Sequence, residues 1–242
     1  MDGRVSHPSW VRICHWLVAA SYLTLAVSGF LILMVHPRLY LGEVGNDLTP
    51  ALLTLPISNN HRPNELHQTV VFVQLPGGPV SAERNYRTFN KNGWARSLHF
   101  LAAWIFVFVG AAYLMTGIAT RHIVRNLLPR KRELALAAVW QDVKNHLRFN
   151  FASSRTYNLS QKLTYTSVLL VVLPVMIVTG LTMSPATTSA YPVLLDLLGG
   201  YQSARTVHFL GFAALLLFFI VHVAMVIATG WRAQLRGMTW GK

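Results

Sequence analysis

The chain has 242 residues, 53% of them hydrophobic and only 12% charged. Soluble domains carry about 25% charged residues, so the composition excludes an ordinary water-facing fold and makes lipid the solvent. The formal net charge of +13 sits in connections between apolar runs, where it sets membrane topology and does not build a nucleic-acid-binding face. The single cysteine, Cys14, excludes an internal disulfide, covalent haem attachment through C-x-x-C-H and a thiolate-held iron–sulfur cluster.

Four windows lack Asp, Glu, Lys and Arg: residues 13–37, 97–120, 163–195 and 206–231. Each exceeds the ~20 residues that cross a bilayer. The first is too long for a signal-peptide core and has no small-residue cleavage site near its end, so it is expected to remain as a span. The connection 37–95 holds Pro37, Pro50, Pro56, Pro63, Pro76 and Pro79 with Gly77-Gly78, and is expected to be an ordered loop with short elements. The connection 121–160 contains Leu134, Ala137, Ala138, Val139 and Leu147, the pattern of a surface amphipathic helix over 133–147, with Trp140 as an interface anchor and a basic flank suited to anionic lipid. In the third window Pro174 predicts a kink. Pro185 and Pro192 predict that helix stops near Ser184, followed by a short interfacial piece over 193–198.

The expected architecture is all-α: an integral membrane four-helix bundle in one domain over 1–242, with spans at about 10–36, 96–120, 161–184 and 205–231. Lys and Arg set its orientation. The segments 1–12, 121–162 and 232–242 hold two, nine and three; 36–96 and 184–205 hold six and one. The richer side faces the cytoplasm, which puts both termini there and the long loop in the periplasm.

Ten histidines are present. His7, His36, His61, His67, His122 and His146 fall in connections or at span ends, where a solvated side chain is the default. His15, His99, His208 and His222 fall inside the charge-free windows. An ionisable group there is costly and marks a functional site.

Their spacing is specific. His208 and His222 are fourteen residues apart, nearly four helical turns, so they face the same side about 21 Å apart along the axis. Depth then pairs His99 with His208 near the outer surface and His15 with His222 near the cytoplasm. Each pair can grip one haem iron from both faces, and bis-histidine ligation leaves no open position, which favours electron transfer. Three of the four share a string: Arg12-Ile13-Cys14-His15, Arg96-Ser97-Leu98-His99 and Arg205-Thr206-Val207-His208. The Arg lies on the same face, one turn nearer the surface, where a haem propionate would emerge. Gly29, Gly110, Gly117, Gly180 and Gly211 are candidates for clearance beside a macrocycle.

The stretch from Arg205 through His208 and His222 to Arg236-Gly237-Met238-Thr239 resembles the di-haem cytochrome b subunits of formate dehydrogenases, nickel–iron hydrogenases and thiosulfate reductases, the bacterial cytochrome b561-like group. Asn158-Leu159-Ser160-Gln161-Lys162 resembles the N-x-x-Q-K string of that family. The resemblance implies two haem b groups, held by His15 with His222 and by His99 with His208. It also implies electron exchange with membrane quinone as a substrate near Asn158, Gln161 and Lys162, and a partner redox enzyme. Leu39-Tyr40-Leu41-Gly42-Glu43-Val44-Gly45-Asn46 resembles the subgroup paired with periplasmic molybdenum enzymes, which implies a molybdopterin oxidoreductase as partner in the bacterial inner membrane setting. Two other readings compete. One is a self-sufficient oxidoreductase drawing on a small diffusible donor such as superoxide. The other is a transporter or anchor without haem, which the near absence of Asp and Glu from the spans opposes as a cation path.

Overall fold

A computed structural model describes residues 7–58, 93–130, 132–147 and 158–241. In chain order these form α1 (Ser9–Val35), β1 (Arg38–Leu39), β2 (Leu53–Thr54), α2 (Gly93–Ala119), α3 (Leu136–Leu147), α4 (Leu159–Ser167), α5 (Leu173–Thr182), α6 (Pro185–Ala190), α7 (Val193–Leu198), α8 (Tyr201–Ala228) and α9 (Trp231–Thr239). The fold is all-α apart from the two-residue antiparallel ladder of β1 and β2, in which Arg38 faces Thr54 and Leu39 faces Leu53.

Among the described residues four helices are long and apolar enough to span a membrane: Ser9–Val35, Gly93–Ala119, Leu159–Thr182 and Tyr201–Ala228. A helix is the form an apolar segment must take in lipid, because it satisfies every backbone N–H and C=O within the segment. Polarity is distributed inside out. Val27, Phe108 and Leu217 are exposed, whereas Ser28, Thr179 and Thr182 are fully buried. Lipid covers what a soluble protein would bury.

The third span is not uniform. Pro174 offers no N–H, and its ring disfavours a regular turn ahead of it. The helix answers with a wider π turn over Val168–Val172, in which Leu173 N–H donates to the Val168 carbonyl, before α5 resumes. Ser184, ahead of Pro185, is extended at φ −90°, ψ 114°, and ends the span. At the C-terminal end of α7, Gly199 takes a left-handed φ of +69° and Gly200 N–H donates to the Leu195 carbonyl at 2.8 Å, a helix-closing turn.

The chain divides into two compact units. One comprises residues 1–19, 106–174 and 213–242; the other comprises 20–105 and 175–212. In the second unit, residues 36–58 form an ordered loop around a buried Arg38–Asp47 ion pair. Its backbone caps α8: the Gly42 carbonyl accepts from Gln202 N–H at 2.9 Å and Ser203 N–H at 3.2 Å, and the Glu43 carboxylate from Tyr201 N–H at 3.1 Å. These are donors a helix start leaves without intrahelical partners. The approach is close enough that a Cβ on Gly200 would lie 2.6 Å from the Gly42 carbonyl.

In the first unit, α3 begins at Leu136, three residues later than the amphipathic pattern predicts. Glu133 is turned away from the helix: its carboxylate accepts from Arg130 N–H at 2.8 Å and from Lys162 Nζ at 2.7 Å. The polar side of α3 is pinned to α4 by Asp142, which accepts from Ser160 N–H at 3.1 Å, while Leu136 and Trp140 stay exposed.

The Glu133 carboxyl is held below its ordinary value, first by the Lys162 hydrogen bond and then by that of Arg130 N–H. A depressed carboxyl contributes stability above its unfolded value and loses it as pH falls through the folded one. Thermal unfolding of the detergent-solubilised protein should therefore show Glu133→Gln less stable than wild type at pH 7, with the gap closing as the pH drops below about 4. A gap independent of pH would show that the ion pair does not act.

Candidate functional site

Two helix-borne histidine pairs stand out, one in each unit. In the first unit, His15 of α1 and His222 of α8 have ring centroids 6.3 Å apart, with planes at 50°. In the second, His99 of α2 and His208 of α8 have centroids 6.4 Å apart, with planes at 62°. Two imidazoles that bind one metal from opposite faces, each through nitrogen at about 2 Å, have centroids ~6 Å apart. Both pairs match that separation.

The donor set narrows the metal. Among the described residues no group of three or more His, Cys, Asp or Glu could hold a metal ion. Each pair would offer a metal two imidazole nitrogens and, among the described residues, no third donor, so a metal held there would have to bring further ligands of its own, as a haem does. A bare transported cation would find too few donors.

The surroundings of the pairs differ. Around the second pair the hydroxyls are close: Ser28 Oγ lies 3.0 Å from His99 Nδ1, and Thr179 Oγ1 lies 2.9 Å from His208 Nδ1. Each hydroxyl is followed by a glycine that makes room for the ring. A Cβ on Gly29 would meet His99 Cε1 at 3.2 Å, and one on Gly180 would meet His208 Cε1 at 3.5 Å. Around the first pair the contacts are aromatic. Phe218 stacks on His222 at 5.7 Å, Tyr165 meets Phe218 edge-on at 6.1 Å, and Trp16 meets His15 edge-on at 5.3 Å. His15 Nδ1 is buried with no hydrogen-bond partner.

The three arginines are used differently from one another. Arg12 Nη1 donates to the Thr239 carbonyl at 3.0 Å and so fastens α9, helped by Trp16 Nε1, which donates to the Met238 carbonyl at 3.1 Å. Arg205 is committed to the loop over residues 36–58, donating to the carbonyls of His36 and Arg38. Arg96 is exposed. Asn158, Gln161 and Lys162 are brought together at the start of α4. Gln161 Oε1 accepts from Asn158 N–H at 3.1 Å, a capping box, and Lys162 is buried against Glu133.

Of the remaining glycine candidates, Gly211 gives room to Met176 and Gly117 to Ile123, while Gly110 faces open space. Three histidines expected in solvent are packed instead. His36 is stacked on Tyr40 at 5.6 Å, and His122 lies edge-on to Trp10 at 5.3 Å. His7 is partly buried, and burial, then the neighbouring His122 and Arg12, lower its pKa. His61, His67 and the side chain of His146 lie outside the described residues. Ser28, Thr179 and Phe218 were not singled out from the sequence. A hydroxyl–glycine dipeptide stands at two of them, Ser28-Gly29 and Thr179-Gly180, but it occurs also as Thr116-Gly117 and Thr229-Gly230 and so does not single them out.

The family model described as prokaryotic cytochrome b561 matches residues 6–241. The chain is 28% identical over 222 residues, 91% of its own length and 89% of the relative's, to the "Putative protein-methionine-sulfoxide reductase subunit YedZ1" of Azospira oryzae. No solved structure matches it.

The two pairs predict a pattern of loss. His99→Ala and His208→Ala should each remove one and the same b-type component from the optical spectrum, and His15→Ala and His222→Ala the other. Equal partial loss of both components from all four variants would contradict the pairing.

Proposed function

The chain belongs to the prokaryotic cytochrome b561 family and is a membrane b-type cytochrome of the electron-transfer kind; we propose that it holds two haem b groups and links the quinone pool to a redox enzyme on the periplasmic side. The observation that carries this reading is the duplicated histidine pair, with centroids 6.3 and 6.4 Å apart and no third donor at either among the described residues. Haem bound at each pair supplies reversible one-electron chemistry at an iron with no open position.

The residues divide the work. His99 and His208 fix the level nearer the periplasm, and His15 with His222 the level nearer the cytoplasm, in the orientation set by the Lys and Arg surplus of residues 121–162. Arg96, exposed one turn before His99, is the arginine best placed for a propionate. Arg12 and Arg205 serve first as ties, to α9 and to the outer loop.

Quinone binds near the start of α4, at Asn158, Gln161 and Lys162. Packing supports this. Tyr165, one turn beyond Gln161, touches Phe218, which stacks on His222. Phe218 and Tyr165 also exclude water from that side of the pair.

The partner is a periplasmic reductase of the molybdopterin type. The relative's name places it as a subunit of a reductase for protein methionine sulfoxide, and a reductase consumes electrons, so flow runs from quinol outward. The ordered loop 36–58, fixed on α8, offers such a partner a shaped surface.

A dithionite-reduced minus oxidised spectrum of the purified protein should show b-type bands with two haems per chain. Absence of those bands would end the reading. Gln161→Ala should keep the spectrum and slow haem reduction by added quinol at least several-fold; an unchanged rate would remove the quinone assignment and leave the haem pairing standing.

A further inference from the structure

The two histidine pairs are built from different materials, and the difference has a redox consequence. Around His99 and His208 the same short device appears twice. Leu25-Ala26-Val27-Ser28-Gly29 in α1 and Met176-Ile177-Val178-Thr179-Gly180 in α5 each present a hydroxyl to a histidine Nδ1 and a glycine to its Cε1.

A hydroxyl carries one proton. Ser28 donates its proton to the Thr24 carbonyl at 2.7 Å, and Thr179 donates its own to the Val175 carbonyl at 2.7 Å. Toward the imidazole each then offers a lone pair, and the backbone carbonyls of Leu25 and Met176, which also hydrogen-bond to His99 and His208, can only accept, so the ring proton belongs on Nδ1. The lone pair of a neutral imidazole is then on Nε2, the nitrogen left for a metal. The acceptors on each helix, hydroxyl and carbonyl together, thus select the ring tautomer on their neighbour.

We propose that Ser28 and Thr179 are positioning residues that lock His99 and His208 as Nδ1–H tautomers and, by accepting those protons, hold the potential of that haem below its value without them. This rests on the reading that His99 and His208 are the axial ligands of one haem. An accepted Nδ1 proton makes a ligating imidazole more basic, and a more basic ligand favours the more highly charged, oxidised iron. The other pair has no matching device: His15 Nδ1 has no hydrogen-bond partner, and His222 is held by the face of Phe218. The two levels are thereby made unequal by side chains that touch neither iron nor substrate.

The test is a redox titration of the full-length holoprotein, monitored optically, with low-spin electron paramagnetic resonance g-values as a second readout. Ser28→Ala and Thr179→Val should keep two haems per chain and shift one midpoint to more positive potential, and the double variant should shift it further. The other midpoint should stay in place. Ser28→Thr and Thr179→Ser, which keep the acceptor, should titrate like wild type. If Ser28→Ala fails to assemble, Ser28→Cys, a weaker acceptor, should give a smaller shift in the same direction.

His99→Ala identifies which component belongs to the pair. If His99→Ala and His208→Ala remove no common component, the ligand reading fails. If they do, and the hydroxyl variants leave that component's midpoint and g-values unchanged or move the other component instead, the proposal about Ser28 and Thr179 is overturned while the ligand reading stands.

Discussion

Lipid accepts no hydrogen bonds, and that constraint organises this protein more than any single contact. A polar atom within a span must find its partner in the protein or remain costly. The hydroxyls of the spans answer by donating to the carbonyl four residues back: Thr24 to Ala20, Ser28 to Thr24, Thr179 to Val175 and Thr182 to Val178. Such bonds leave each oxygen with lone pairs and no proton. Where a histidine from another helix arrives, as at Ser28 and Thr179, it meets oxygens already bonded to their own helix. The solvent thus biases where the hydroxyl's proton goes, and the hydroxyl in turn biases the ring's.

The same constraint explains which parts of the site were legible in the sequence. Charged residues are so thoroughly excluded from the four windows that four histidines there carry information, and the fourteen-residue spacing of His208 and His222 converts to a shared helix face through helical periodicity alone. Pairing by depth needs only the order of the spans. In the structure the rings of each pair stand 6.3 and 6.4 Å apart. By contrast, local hydrogen bonding does not distinguish Ser28 from Thr24 or Thr179 from Thr182, and the glycine that follows Ser28 and Thr179 also follows Thr116 and Thr229. All four make the same bond to their own helix. Only the arrival of a ring from a distant segment separates the two that matter.

The arginines show the converse. Arg12, Arg96 and Arg205 stand in the same string relative to His15, His99 and His208, and spacing gives them the same face of their helices. Their uses diverge because spacing does not say which distant backbone comes within reach. The Thr239 carbonyl meets Arg12, and the carbonyls of His36 and Arg38 meet Arg205. Glu133 is a similar case. Its sequence position fits the first turn of an amphipathic helix, but Lys162, twenty-nine residues on, buries its ammonium there and takes the carboxylate out of the helix pattern.

The outer loop illustrates what this means for electron exchange with a partner. Its residues could have formed a slack connection between two spans. Instead they supply the cap of α8, through Gly42 and Glu43, and receive two further anchors from that helix, Arg205 to the loop carbonyls and Thr206 Oγ1 to the Tyr40 carbonyl at 2.6 Å. These anchors lie within the two turns that lead to His208. Any surface that meets this loop is therefore fixed to the same helical segment that presents the histidine. Electron transfer gains from such a tie, since donor and acceptor are held at a set spacing without dependence on a flexible linker. Gly200 makes the tie sterically feasible. Its φ of +105° and missing Cβ let the Gly42 carbonyl reach the helix N–H groups, and any larger residue there would push loop and helix apart.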